Sequence, residues 1–181
     1  MSTIDTFAVT LFEQAKRFLE RAQHGECDDD GKVAFLTAAL LFGVSSLEAH
    51  VNAVADEMLL RSDLTVLDKS ILGERDYKLD SGEFVLTDKL KMYRLLERVE
   101  FIVSRFTQSP KPQKESWWPG TVGALDSRNK IVHAKDAVAL SEPMIKQSLR
   151  SILDCVNALY LGVYGKGLPS HSRGLQSKLS F

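Results

Sequence analysis

The stretch Lys32-Val33-Ala34-Phe35-Leu36-Thr37-Ala38-Ala39-Leu40-Leu41-Phe42-Gly43-Val44-Ser45-Ser46-Leu47-Glu48 decides the fold. Wound as a helix, its first half is apolar nearly all round, which marks a helix contacted on several sides. The apolar run from Val33 to Val44 is too short for a bilayer and passes into Ser45, Ser46, Glu48 and His50. The periodicity predicts one helix from about Lys32 to Leu60. At ~1.5 Å per residue it spans roughly 40 Å, enough to run the length of a bundle.

Working outward, the neighbouring segments also carry helical period. A first helix is expected over Asp5 to Gln23. Its apolar stripe is Phe7, Leu11, Phe18 and Leu19, and Glu13, Lys16, Arg17 and Glu20 cover the rest. Gly25 and Asp28-Asp29-Asp30-Gly31 end it. A short helix is expected around Val66 to Leu72. Residues 76–87 carry a turn signal, Asp80-Ser81-Gly82, between Tyr77, Leu79, Phe84 and Leu86, and read as a small β-hairpin excursion. A third long helix is expected from Thr87, as N-cap, to Thr107, burying Leu90, Tyr93, Leu96, Val99 and Ile102 or Val103. A fourth runs from about Thr121 to Lys135. A fifth runs from Glu142 to Tyr164, with Ser141 capping and Pro143 in the first turn. The fold class is therefore all-α, an up-and-down bundle of four to five long helices. One domain covers residues 1–165, and residues 166–181 are expected to be a flexible basic tail.

Composition narrows the function. The chain has 181 residues, with 44% hydrophobic and 26% charged, so a sizeable core is available. A net charge of -1 argues against nucleic-acid binding by bulk electrostatics, leaving a local patch or one completed by a second subunit. Cys27 and Cys155 match neither a metal spacing nor a disulfide framework. No secretory signal is evident at Met1-Ser2-Thr3-Ile4-Asp5, so the expected setting is cytoplasmic, with no membrane. Gly-rich phosphate loops and Gly-x-Ser-x-Gly elbows are absent, and no metal or other cofactor is expected.

The chemistry-bearing stretch is Arg128-Asn129-Lys130-Ile131-Val132-His133. On a helix Asn129 and His133 are i and i+4 and share a face. Arg128 presents planar donors suited to a phosphate or to a phosphorane-like transition state. His133 can give or take a proton near neutrality. Asn129 can fix the imidazole or hold a phosphate oxygen. RNA brings its own nucleophile, the 2′-hydroxyl, so these groups need neither metal nor covalent intermediate. The plainer reading is an ordinary amphipathic helix.

Arg128-Asn129-x-x-x-His133 resembles the signature of the HEPN superfamily, small helical domains of prokaryotic toxins, abortive-infection proteins and RNA-targeting effectors. Ser45-Ser46-Leu47-Glu48-Ala49-His50-Val51-Asn52 is similar to the small-polar, Glu, then Asn pattern on the long central helix of many such proteins. The signature falls on the next-to-last helix, followed by a closing helix. The resemblance covers roughly Asp5 to Tyr164. It implies a homodimer whose two signature helices meet, and a metal-independent endoribonuclease in toxin–antitoxin or antiviral defence. Arg128 would bind phosphate, His133 would be general acid or base, and Asn129 would orient them. Other members are inactive interaction modules that bind a partner protein or nucleotide, which is the alternative. An antitoxin is a further possible partner. One subgroup is regulated through a Tyr two residues after the His; Lys135 stands there and departs from that scheme.

Further candidates carry two readings each. Glu48 and Asn52, i and i+4, are either a supporting wall of the site or a buried polar pair bridging helices. His50 is expected to be a surface or satisfied histidine. Trp117 and Trp118, following Lys111 and Lys114, could contact RNA by stacking, although paired Trp before a helix more often pack against a bundle end. Lys130 and Lys135 flank the motif as weak RNA-contacting candidates, or are simply solvated.

Overall fold

The computed structural model describes residues 3–107, 111–133 and 139–181. In chain order the elements are α1 (Thr3–His24), α2 (Asp29–Met58), α3 (Val66–Gly73), β1 (Arg75–Asp80), β2 (Glu83–Leu90), α4 (Leu95–Phe106), α5 (Trp118–His133) and α6 (Glu142–Tyr164), with single 3-10 turns at Pro112–Lys114 and His171–Arg173. The protein is mostly helical, as the periodicity predicts, and carries a small two-stranded antiparallel sheet.

α2 is the axis. The Asp28 side chain caps it by accepting from the Gly31 N–H at 2.8 Å. It is touched by α1, α3, α4, α5 and α6. By length and composition alone α2 could cross a membrane; here its neighbours bury Leu36, Leu40, Val44, Leu47, Val51 and Val54, while Val33 stays exposed near its start. α1 runs antiparallel to it: Ser46 donates to the Ala8 carbonyl at one end, and Phe18 stacks on Phe35 and Phe42 toward the other. A Cβ at Gly43 would collide with Leu149, so glycine lets α2 and α6 approach closely at mid-height.

Several expectations differ from the structure for physical reasons. The first is the start of the third long helix. Thr87 is not a helix cap but a residue of β2, which pairs with β1 from Asp80↔Glu83 outward to Arg75↔Leu90. The turn residues Ser81 and Gly82 both have positive φ, 51° and 91°, which matches the twist of a two-residue hairpin. The ladder satisfies backbone groups that a helix would otherwise use, and Lys91 N–H continues it to the Glu74 carbonyl at 2.8 Å. α4 therefore begins at Leu95, where Glu97 accepts the Arg94 N–H at 3.1 Å. Leu90 lies exposed on the strand rather than in the helical stripe, whereas Val99, Ile102 and Val103 are buried.

The second concerns residues 166–181, expected to be a flexible tail. They fold back along α1. Leu168 is buried, Ser177 N–H donates to Glu20 at 2.8 Å, Lys178 N–H donates to Glu13 at 2.7 Å, and the Phe181 ring meets Phe18 edge-on. This cover explains why Glu13 and Lys16, assigned to the solvent face of α1, are buried at 5% and 0% exposure. Phe7, placed in the apolar stripe, is 59% exposed. The basic segment carries the counter-charge and donors that a buried acid requires.

Candidate functional site

α5 is anchored at its start and open at its end. Thr121 donates from its hydroxyl to the Trp117 carbonyl at 2.9 Å and reaches the Ser151 carbonyl of α6 at 3.2 Å. A Cβ at Gly120 would collide with Ser151, so α5 lies close against α6 here. Thr121, Ala124, Leu125 and Ser127 are buried. Asp126, Asn129, Lys130 and His133 recur at three- and four-residue spacing on the exposed side. Asn129 and His133 thus share a solvent face, as the spacing predicts.

Arg128 is half-buried beside a cleft of about 520 Å³. Val44 and Glu48 of α2, Arg94 with Leu95 and Leu96 at the head of α4, and Leu125, Asp126, Arg128 and Asn129 of α5 line it. Arg128 Nη1 donates to Asn129 Oδ1 at 3.0 Å. Glu48 is exposed and shares the cleft with Arg128, and no ion pair within 4 Å joins them. The structure therefore brings Arg128, Asn129 and Glu48 together. His133 stands beyond the cleft lining, exposed at the last residue of α5.

Asn52 belongs elsewhere. Its Oδ1 accepts from Arg98 Nη1 at 2.6 Å, and Arg98 also holds Glu74 at 3.1 Å and the Leu72 carbonyl at 3.0 Å. Burial pulls the Arg98 guanidinium below its usual range, against the opposing fields of Glu74, Glu48 and Asp56. Arg98 Nε is buried with no hydrogen-bond partner. Asn52 is thus a bridge between α2 and α4 and not a wall of the cleft. His50 is the satisfied histidine, buried with Nδ1 3.2 Å from the Tyr160 hydroxyl.

Trp117 is buried at 5% exposure, and half-buried Trp118 meets it edge-on at 5.8 Å. Trp117 belongs to the hydrophobic core and Trp118 packs against it, so Trp117 has no free face for a base. Lys130 is exposed beside the motif, and Lys135 lies outside the described residues. Among the described residues no group of three His, Cys, Asp or Glu is placed to hold a metal ion. Cys27 is exposed and Cys155 is buried, where burial pushes its thiol up and away from thiolate chemistry.

Two residues of this picture escape sequence reasoning. Arg94 lines the cleft only because α4 starts after the hairpin, so a helix drawn from Thr87 hides it. Arg98 had a readable signal: a cation next to Val99 in an apolar stripe demands buried partners. Compared with family models, curated proteins and solved structures, the chain has no match in any of the three.

Proposed function

We propose that the protein is a metal-independent endoribonuclease of HEPN type, acting as a homodimer in the cytoplasm, in toxin–antitoxin or antiviral defence. One observation carries the reading. Asn129 and His133 stand exposed on α5 with half-buried Arg128 at the adjoining cleft, where Arg128 donates to Asn129, whereas Asn52 and His50 are consumed by the fold. Helix order adds support, since the motif helix is next to last and α6 closes the bundle.

The chemistry needs little else. A 2′-hydroxyl loses its proton to an imidazole and its oxygen attacks the adjacent phosphorus. The P–O5′ bond breaks, and the leaving oxygen takes a proton. The products are a 2′,3′-cyclic phosphate and a 5′-hydroxyl. Arg128 stabilises the added negative charge of the transition state, and Asn129 orients Arg128 through the bond it already accepts. Two copies of α5 facing each other would supply two imidazoles, one as base and one as acid. The cleft places Glu48 and Asp126 against Arg94 and Arg128, so a single copy has little net attraction for phosphate.

That same balance of charges favours one competing reading, an interaction module that docks a partner protein or nucleotide on the cleft without cleavage. The deciding experiment is RNA cleavage by the purified protein in EDTA, alongside His133→Ala. Cleavage leaving cyclic phosphate, and its loss in the variant, is the expected result. Full cleavage by His133→Ala overturns the assignment. An inert wild-type protein that loses a binding partner on Arg128→Ala selects the module.

A further inference from the structure

A second concave surface lies away from the α5 cleft and shares no residue with it. It is a groove of about 590 Å³ between the last turns of α1, the first turns of α6 and the C-terminal segment. Its lining holds four permanent cations, Arg17, Arg21, Lys146 and Arg173, with His24 at the same place and Glu20 as the one carboxylate. In a chain of net charge -1 this is a marked local excess of positive charge.

The cations are partly held in place. Arg17 is gripped by Glu20 at 3.2 Å and by the Phe181 carbonyl. Arg173 is gripped by Glu13 at 2.8 Å, but Glu13 is shared with buried Lys16 at 2.7 Å. Arg21 rests over the Phe35 ring at 5.8 Å. The ion pairs of the described residues engage neither Arg21 nor Lys146. Side chains already fixed lose less freedom when an anion arrives, and guanidiniums suit phosphate oxygens. Leu175 is the one large apolar side chain of the lining, and no Phe, Tyr or Trp lines it to stack a base. The groove is therefore dominated by groups that suit phosphate, with cations outnumbering its polar amides.

We propose that this groove binds closely spaced phosphate groups, as a second anion site built by α1, α6 and the folded-back C-terminal segment. Two sources share that chemistry, the phosphodiester backbone of single-stranded RNA and a compact polyphosphate chain. RNA would use the groove as a sequence-independent anchor. The site stands whether or not α5 is catalytic.

The test is equilibrium binding by full-length His133→Ala protein, which separates binding from cleavage. The probes are a labelled single-stranded RNA oligonucleotide and inorganic tripolyphosphate. The groove variants are Lys146→Glu alone and combined with Arg21→Gln; Lys89→Glu, on the exposed hairpin, makes the same charge change elsewhere. Lys146→Glu alone should weaken the bound probe about tenfold and flatten the salt dependence by about one charge. Loss of RNA binding in the groove variants but not in Lys89→Glu supports the backbone source. Loss of tripolyphosphate binding alone supports the compact source. The proposal is overturned if neither probe binds, if neither is weakened, or if Lys89→Glu weakens both equally. Lys146 is half-exposed, so a variant that still melts cooperatively near the parent temperature keeps the comparison valid.

Discussion

Two constellations in this molecule use the same side chains in opposite ways. Arg98 with Asn52 and Glu74 lies between α2, α3 and α4, and Arg128 with Asn129 and Glu48 opens on the α5 cleft. The Arg98 side chain is 5% exposed and makes three hydrogen bonds across elements. Arg128 donates to its sequence neighbour Asn129. Residue type does not separate the two; commitment does. A guanidinium that the fold has already used is architecture, and one left facing a cleft is available for a ligand.

The largest effect that tests this contrast is at the open end. His133→Ala should lower RNA cleavage by roughly 10² to 10⁴, the usual worth of a positioned acid or base, with an unchanged melting temperature. A cleavage assay and a thermal melt on one preparation read both halves. A parallel fall in stability would move His133 into the architectural class. Next comes the closed constellation. Arg98→Ala strips partners from Asn52, the Leu72 carbonyl and Glu74 at once, and should cost about 3 kcal/mol in urea denaturation. A loss below about 1 kcal/mol would mean that the buried network is replaceable by water or by repacking.

The contrast also says what a sequence reader can see. α2, α6 and the hairpin turn were legible because an apolar surface, a Pro in the first turn and a Ser-Gly turn each have a strong local cause, although Ser141 makes no side-chain capping bond to α6. The start of α4 was not, because Thr87 and Leu90 fit a helix as well as they fit a strand, and pairing of their strand with β1 decided between them. The path of residues 166–181 was not, because it depends on a carboxylate some 160 positions away, as in the Arg173–Glu13 bond. In the site, the shared face of Asn129 and His133 follows from helical spacing alone. The diversion of Asn52 to Arg98 does not, since it needs the packing of α2 against α4.

Glu13 gives a third prediction of intermediate size. Burial would raise its carboxyl, but hydrogen bonds from Lys16, Lys178 N–H and Arg173 outweigh burial and hold it below its ordinary 4.5. A lowered carboxylate stabilises the fold above that value and ceases to do so as pH falls through and below it. Glu13→Gln leaves Lys16 buried without its counter-charge, costing about 2 kcal/mol at neutral pH. The gap between variant and wild type should narrow below pH 4.5 as the wild type protonates. Melts across that range check it; a constant gap would show that Glu13 acts by shape rather than charge.

The smallest stability effect carries the sharpest distinction. Arg128→Ala removes a half-buried guanidinium whose bond, to Asn129 on the same exposed turn, closes no gap between elements. Surface substitutions of that kind fall within about 0.5 kcal/mol. The same substitution at Arg98, identical in atoms deleted, is expected to cost several times more, because there the deletion strips the buried Leu72 carbonyl and two half-buried side chains of their shared partner. Measuring both variants by the same denaturation holds side-chain chemistry constant and varies only commitment. Equal losses would place Arg128 among the residues that build the fold and would remove the basis for assigning it to a ligand. Unequal losses leave the Arg128 guanidinium without a structural role large enough to account for its place beside the cleft.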